Sequence, residues 1–192
     1  LMSMTHNFSE ESQSGFEVLF KQTENEWNTQ WALGVGYKKG QVDIDESSIL
    51  SLNRDVLTKT TTPIQDFDRT VKSVFLEAKT KFMENKLQFV YGGRIDDYSD
   101  FGRQTTPRFG VVYLPNEKSS FKILYGEAFR ASVAAEIKGI PNVKGNADLS
   151  PEVIETLELV YMYQSDNWKF NATYFESEWS NGIVVAPIVD PD

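Results

Sequence analysis

Apolar and polar residues alternate one by one in stretch after stretch of this chain, and only an extended strand converts a period of two into two distinct faces. Trp31, Leu33, Val35 and Tyr37 point one way, with Ala32, Gly34, Gly36 and Lys38 opposite. Leu87, Phe89, Tyr91 and Ile95 alternate with Lys86, Gln88, Val90, Arg94 and Asp96. Phe109, Val111 and Tyr113 oppose Arg108, Gly110 and Val112, and Phe121, Ile123 and Tyr125 oppose Ser120, Lys122, Leu124 and Gly126. The same holds for Leu157, Leu159, Tyr161 and Tyr163, and for Phe170, Ala172 and Tyr174. One face is greasy and aromatic throughout; the other is small or polar.

The spacing predicts about nine strands, many of about ten residues or more, whereas strands of globular proteins average roughly 5–6 residues and tilted membrane strands need roughly 9–11. Short links near residues 23–26, 83–85, 115–118 and 165–167 take turns with longer polar loops at 43–66, 98–105 and 130–151. An up-and-down barrel has that rhythm, tight on its periplasmic side and elaborate outside. Trp27, Tyr98, Tyr113, Tyr163, Trp168 and Trp179 fall at strand ends, where an amphipathic ring suits a membrane interface. The expected fold is therefore all-β: an antiparallel meander of long strands forming part of a transmembrane β-barrel. An odd strand count and a loop-like tail, Val189-Asp190-Pro191-Asp192, read as a piece of a larger wall. Two competing folds are a complete small outer-membrane barrel and a soluble all-β carbohydrate-binding module, the latter expected to have shorter strands and more Gly and Pro turns.

Composition narrows the function. A net charge of −9 with no basic stripe argues against nucleic-acid binding. The absence of cysteine removes disulfides, thiolate metal sites and a Cys nucleophile. No stretch reaches the roughly 18 apolar residues of a transmembrane helix, and the first residues lack the basic and apolar regions of a secretory signal. His6, the only histidine, lies near the start of the piece without partners, so neither a Ser-His-Asp triad nor a multi-histidine metal site is expected within it. No catalytic residue, metal site or cofactor is expected.

Two stretches go beyond periodicity. The first runs Gly92-Gly93-Arg94-Ile95-Asp96-Asp97-Tyr98, continues through Pro107-Arg108-Phe109-Gly110, and ends at Tyr125-Gly126-Glu127-Ala128-Phe129-Arg130-Ala131-Ser132. The second is Gly145-Asn146-Ala147-Asp148-Leu149-Ser150-Pro151-Glu152, with Glu158 following. In this order they resemble the barrel domain of TonB-dependent outer-membrane receptors, although Ser132 stands where that family often has proline. The resemblance implies that residues 1–192 are part of a plugged barrel of about 22 strands, with the plug, the TonB-contacting segment and the closing strand absent. It further implies a bacterial outer-membrane protein that imports a scarce ligand, most often a ferric siderophore, with energy passed on by the TonB complex. Outer-membrane lipids are the remaining partner, and no covalent chemistry is required.

Arg94, Asp96, Arg108, Arg130 and Glu158 all fall on the polar face. They are expected to face the lumen, as ligand or plug contacts or as structural ion pairs. Gly145, Asn146, Leu149, Pro151 and Glu152 mark the family-motif loop. Gly34, Gly36, Gly92, Gly93 and Gly110 lie inside strands and read as bends or close backbone approaches rather than a nucleotide fingerprint. Asp96, Asp97 and Asp100 lack the spacing of a calcium loop and read as a solvated loop or an electrostatic link to surface lipids, and the acidic run at 43–46 reads as a solvated loop face.

Overall fold

The computed structural model describes residues 2–23, 25–53, 56–62, 66–140 and 143–184. Eight strands follow one another across a single antiparallel sheet: β1 (Met2–Gln22), β2 (Thr29–Asn53), β4 (Phe67–Phe82), β5 (Leu87–Tyr98), β6 (Gly102–Asn116), β7 (Ser119–Arg130), β10 (Glu152–Gln164) and β11 (Lys169–Ser180). A ninth, β3 (Val56–Thr62), pairs with the outer part of β2. Between β7 and β10 lie the five-residue helix α1 (Ala134–Lys138) and a minimal pair, β8 (Gly139–Ile140) and β9 (Val143–Lys144). The sheet is an open wall of a barrel type, with β1 and β11 at its edges.

The register fixes the faces. Leu33 pairs with Leu76 and Val35 with Val74; Val111 pairs with Ile123, Ile123 with Leu159 and Leu159 with Tyr174. The apolar sets of neighbouring strands thus line up row on row, because a slip of one residue would transfer a whole set to the opposite face. Those rows remain open to the surroundings: Ile123 is 48% exposed, and Leu33, Val35, Leu76, Phe109, Phe121 and Tyr174 are exposed as well. Among the described residues the buried hydrophobic side chains are Phe67, Val71 and Ala78, so the aromatic face is not packed against a second layer. Ring contacts run across the lower part of that face, from Phe82 to Phe89 to Phe109, and from Tyr113 through Phe121 and Tyr161 to Phe170.

The turns at the tight end are built as expected. Met83, Glu84 and Asn85 adopt positive φ in the β4–β5 turn. Asn116 accepts two backbone N–H bonds at the β6–β7 turn, and Asn25 does the same beside β2. Two of the three long loops are corrected. The loop expected at 43–66 is mostly strand, because β2 continues to Asn53 and folds back through β3. That expected at 98–105 shrinks to a turn at 99–101, since β6 begins at Gly102 and pairs with Tyr98. The loop at 130–151 persists and carries α1. The tail 189–192 lies outside the described residues.

In-strand glycines separate into kinds. A Cβ on Gly92 would lie 2.3 Å from the Leu76 carbonyl oxygen and 2.9 Å from Glu77 Cα, so β4 and β5 approach too closely there for any side chain. At Gly34 the obstacle is the Phe75 ring, 2.1 Å from where a Cβ would lie. Gly36 meets nothing nearer than 3.6 Å.

Candidate functional site: the ion-paired face and its folded-in loop

The face opposite the aromatic rows carries several of its charges in pairs. On β5 the guanidinium of Arg94 folds back on Asp96, with Nε 2.8 Å from both carboxylate oxygens, and Nη2 donates to Ser73 Oγ of β4 at 2.8 Å. Ser73 in turn donates to Asp96 Oδ1. Asp96 is only 3% exposed, which a carboxylate tolerates because two donors, Arg94 Nε and Ser73 Oγ, satisfy it. Arg108 of β6 reaches Glu77 of β4 at 3.0 Å across Gly92, whose missing side chain leaves the path open. Arg130 closes β7 and pairs with Glu152, the first residue of β10. Its Nη1 and Nη2 donate to Glu136 of α1 at 3.1 and 3.0 Å.

Arg94, Asp96, Arg108 and Arg130 therefore share the expected face and each has a partner. Glu158 shares that face, in register with Leu124 and Phe175, but among the described residues it enters none of these ion pairs. Asp96, Asp97 and Asp100 do not form one acidic loop: Asp97 points to the opposite face from Asp96, and Asp100 belongs to a different arginine.

That arginine, Arg69 of β4, was not singled out in the sequence. Its Nε lies 3.1 and 3.0 Å from the two Asp100 oxygens, and its Nη2 donates to Asp100 at 2.6 Å and to the Ser132 carbonyl at 2.7 Å. The rings of Phe67, Tyr98 and Phe101 surround it at 4.9, 5.7 and 5.3 Å. It thereby joins three parts of the outer end: strand β4, the 99–101 turn, and the loop after β7. That loop folds inward, and between it and the sheet lies a groove of about 1060 Å³ lined by Glu17, Lys38, Arg69, Ser73, Arg94 and Ala134 among others.

The motif loop explains itself locally. A Cβ on Gly145 would lie 2.3 Å from Gly139 N and 2.4 Å from Lys138 C, so glycine alone lets the returning chain rest against the end of α1. The Asn146 N–H donates to the Glu136 carbonyl at 2.9 Å, while its side chain accepts from Asp148 N–H at 3.0 Å. Leu149 and Pro151 line a smaller cavity of about 480 Å³ beside Asp100, Phe101 and Gln104. Glu152 accepts the Ile183 N–H at 2.7 Å, holding the chain that leaves β11 against β10. Glu136 is held below the usual carboxylate range, first by the Arg130 guanidinium and, against partial burial, by the Val133 N–H.

On the aromatic face, the greasy band ends at Tyr125, whose hydroxyl donates to Glu127 at 2.6 Å and approaches Glu155 at 3.3 Å. Glu127 pairs with Glu155, and Glu155 with Glu178, so a row of carboxylates marks its outer border. Residues 157–163 of β10 below that border span about 20 Å at a rise of ~3.3 Å per residue, comparable to the apolar belt of about 25 Å of an outer-membrane barrel.

A long-stranded antiparallel wall with one exposed apolar face and one ion-paired face defines a segment of a large β-barrel. The family described as TonB dependent receptor-like, beta-barrel matches residues 4–192, and the chain belongs to it. Solved structures agree on the fold. The siderophore receptor PirA of Pseudomonas aeruginosa superposes with a TM-score of 0.69 at 18% identity, covering 95% of this chain and 35% of its own. A mutant of the ferric enterobactin receptor PfeA of the same organism, in complex with enterobactin, gives 0.71 at 17% identity, covering 94% and 28%. The FrpB iron transporter of Neisseria meningitidis gives 0.62 at 15%, covering 89% and 29%. This chain thus spans about a third or less of the length of these receptors. By sequence, no curated protein matches it.

Proposed function

We propose that this chain is part of the barrel wall of a receptor in a bacterial outer membrane, which takes up a scarce iron-chelating ligand, a ferric siderophore, in a TonB-dependent manner. The observation that carries the reading is the segregation of faces: rows of exposed Leu, Val, Ile, Phe and Tyr on one side, and Arg94–Asp96, Arg108–Glu77 and Arg130–Glu152 on the other. A lipid-facing charge costs roughly 2–4 kcal/mol at the midplane, so ion pairs confined to the opposite face mark the side turned toward an enclosed interior. In this reading the plug and the remaining strands lie outside these 192 residues, consistent with the fraction of the solved receptors that the chain covers. The TonB complex acts through that plug segment.

Arg94, Asp96, Arg108, Arg130 and Glu158 then line the lumen, where the paired ones brace the wall and Glu158 is left to meet the plug or the ligand. The 145–152 loop sits at the outer rim and shapes the entry. Siderophore as ligand rests on the named receptors: two are siderophore receptors and one is an iron transporter. Binding and conformational release suffice for such work, with no bond made or broken in the cargo.

The test is uptake of radiolabelled iron by cells producing the complete protein as their sole candidate receptor, with a panel of catecholate and hydroxamate chelates and a corrinoid for comparison. Accumulation of one ferric chelate that vanishes in a strain lacking TonB is the expected result. Uptake of the corrinoid alone, or uptake indifferent to TonB, would overturn the assignment.

A further inference from the structure

We infer that residues 131–139 form a lid over the groove on the polar face, and that Arg69 is the positioning residue that latches it shut. The inference takes from the proposed function only the idea that this face looks into the barrel, and it concerns when the groove is open rather than what enters it.

The lid is weakly seated in itself. Helix α1 has five residues, none of them buried. Ser132 is buried to 1% exposure, yet its hydroxyl has no hydrogen-bond partner, so its position is not one its own side chain favours. Arg130 and Glu136 shape the lid from its hinge at the end of β7, through bonds of 3.0 and 3.1 Å. Arg69 acts from the far wall. It stands on β4, separated from β7 by β5 and β6, and its Nη2 holds the Ser132 carbonyl at 2.7 Å.

The latch is preorganised. Asp100 grips the guanidinium through Nε and Nη2, and three aromatic rings stand around it, so the fork is fixed before the lid arrives. On the β4 side the bond to Ser132 breaks when the lid lifts, while the Arg69–Asp100 pair remains on the rim. A guanidinium clamped in this way bonds a carbonyl directionally, which a lysine ammonium at the same place would not.

The chain contains no cysteine, so an introduced one is the only thiol in this part of the protein. The experiment uses Ser132→Cys in the complete protein in detergent, since the serine hydroxyl has no bond to lose, and measures its rate of reaction with a bulky maleimide. With Arg69 in place the rate is slow; adding Arg69→Gln raises it by about tenfold or more through local opening. Asp100→Asn in the same background moves it the same way by a smaller factor. Asp166→Cys, in the exposed turn at the other end of the wall, reacts equally in all backgrounds. A rate for Ser132→Cys unchanged within about twofold by Arg69→Gln overturns the latch, as does an equal rise at Asp166→Cys, which would mean general loosening. Should Arg69→Gln not fold, the Asp100→Asn comparison decides by the same criterion. No ligand is needed, so failure here is distinguishable from failure of the uptake assay.

Discussion

Arg94 and Asp96 stand two residues apart on β5 and close on each other, with Arg94 Nε 2.8 Å from each carboxylate oxygen. Residues i and i+2 share a face of a strand, so the pair belongs to one strand and requires no neighbour to form. Its burial is uneven: the Asp96 side chain is 4% exposed and that of Arg94 41%. Removing the arginine therefore does more harm than removing the acid. Arg94→Ala leaves a buried carboxylate with Ser73 as its main support and should destabilise the barrel by about 1–3 kcal/mol, while Asp96→Asn frees a guanidinium that already reaches water and should cost about half as much. The temperature at which the folded band disappears in semi-native gels ranks the two, and equal shifts would contradict the asymmetry.

The two faces of β10 make a paired prediction. Leu159 lies in the middle of the apolar rows, and Val160 is its neighbour on the polar face. Leu159→Arg should lower membrane insertion by an equivalent of roughly 2–4 kcal/mol, whereas Val160→Arg should insert nearly as well as the parent. Comparable losses at both positions would mean that the faces are not what the register indicates.

Two glycines carry different obstacles and should respond differently to a second change. Gly92→Ala meets backbone and should cost about 1–3 kcal/mol whatever is altered nearby. Gly34→Ala meets the Phe75 ring, so the loss should largely disappear in the double variant with Phe75→Ala. Gly36→Ala should be close to neutral. A double-mutant cycle on refolding yield or thermal stability reads all three.

Ser132→Ala deletes a buried hydroxyl that bonds to nothing, while the carbonyl that Arg69 grips is retained. Stability should stay level or rise by up to about 1 kcal/mol. A clear loss would show that the hydroxyl has a partner after all.

Acid should loosen the loop after β7. The Glu136 carboxyl is depressed, chiefly by Arg130, so its contribution to holding the loop is complete above its unfolded value of about 4.3 and fades as pH falls through the lower folded one. Amide exchange over residues 131–139, corrected for intrinsic rates, should be flat near neutrality and accelerate toward about pH 3. Glu136→Gln should exchange faster already at neutral pH, with a flatter profile. Protection unchanged across that span would contradict the account.

The face assignment was legible because period two leaves no ambiguity where one side is continuously apolar: from Trp31 to Tyr37, and from Leu157 to Tyr163, reading the letters is reading the geometry. Beyond the apolar band that logic lapses. The sequence of β2 past Val42 and of β3 lacks a sustained apolar–polar alternation, so a stretch that is in fact paired strand looks like loop. At the outer end of β4 the pattern inverts, with Phe67 and Val71 buried on the ion-paired face and Asp68, Thr70 and Lys72 on the other. Arg69 escaped notice for that reason. Its value comes from Asp100 and Ser132, about 30 and 60 residues away, and no local pattern announces such partners. Arg130 and Glu152 both stand in the family motifs, but their pairing became visible only from the register where β7 and β10 meet.

The prolongation of β2 makes the rim lopsided. From Val42, where pairing with β4 ends, the ladder with β1 climbs on to Leu52, about 35 Å further at ~3.3 Å per residue. At the opposite flank, β10 and β11 stop together at Val153 and Ser180. Along these eight strands the wall therefore rises to a tall hydrogen-bonded fin at the β1–β2 flank and drops to a low sill at the β10–β11 flank, an asymmetry of height built from backbone pairing alone.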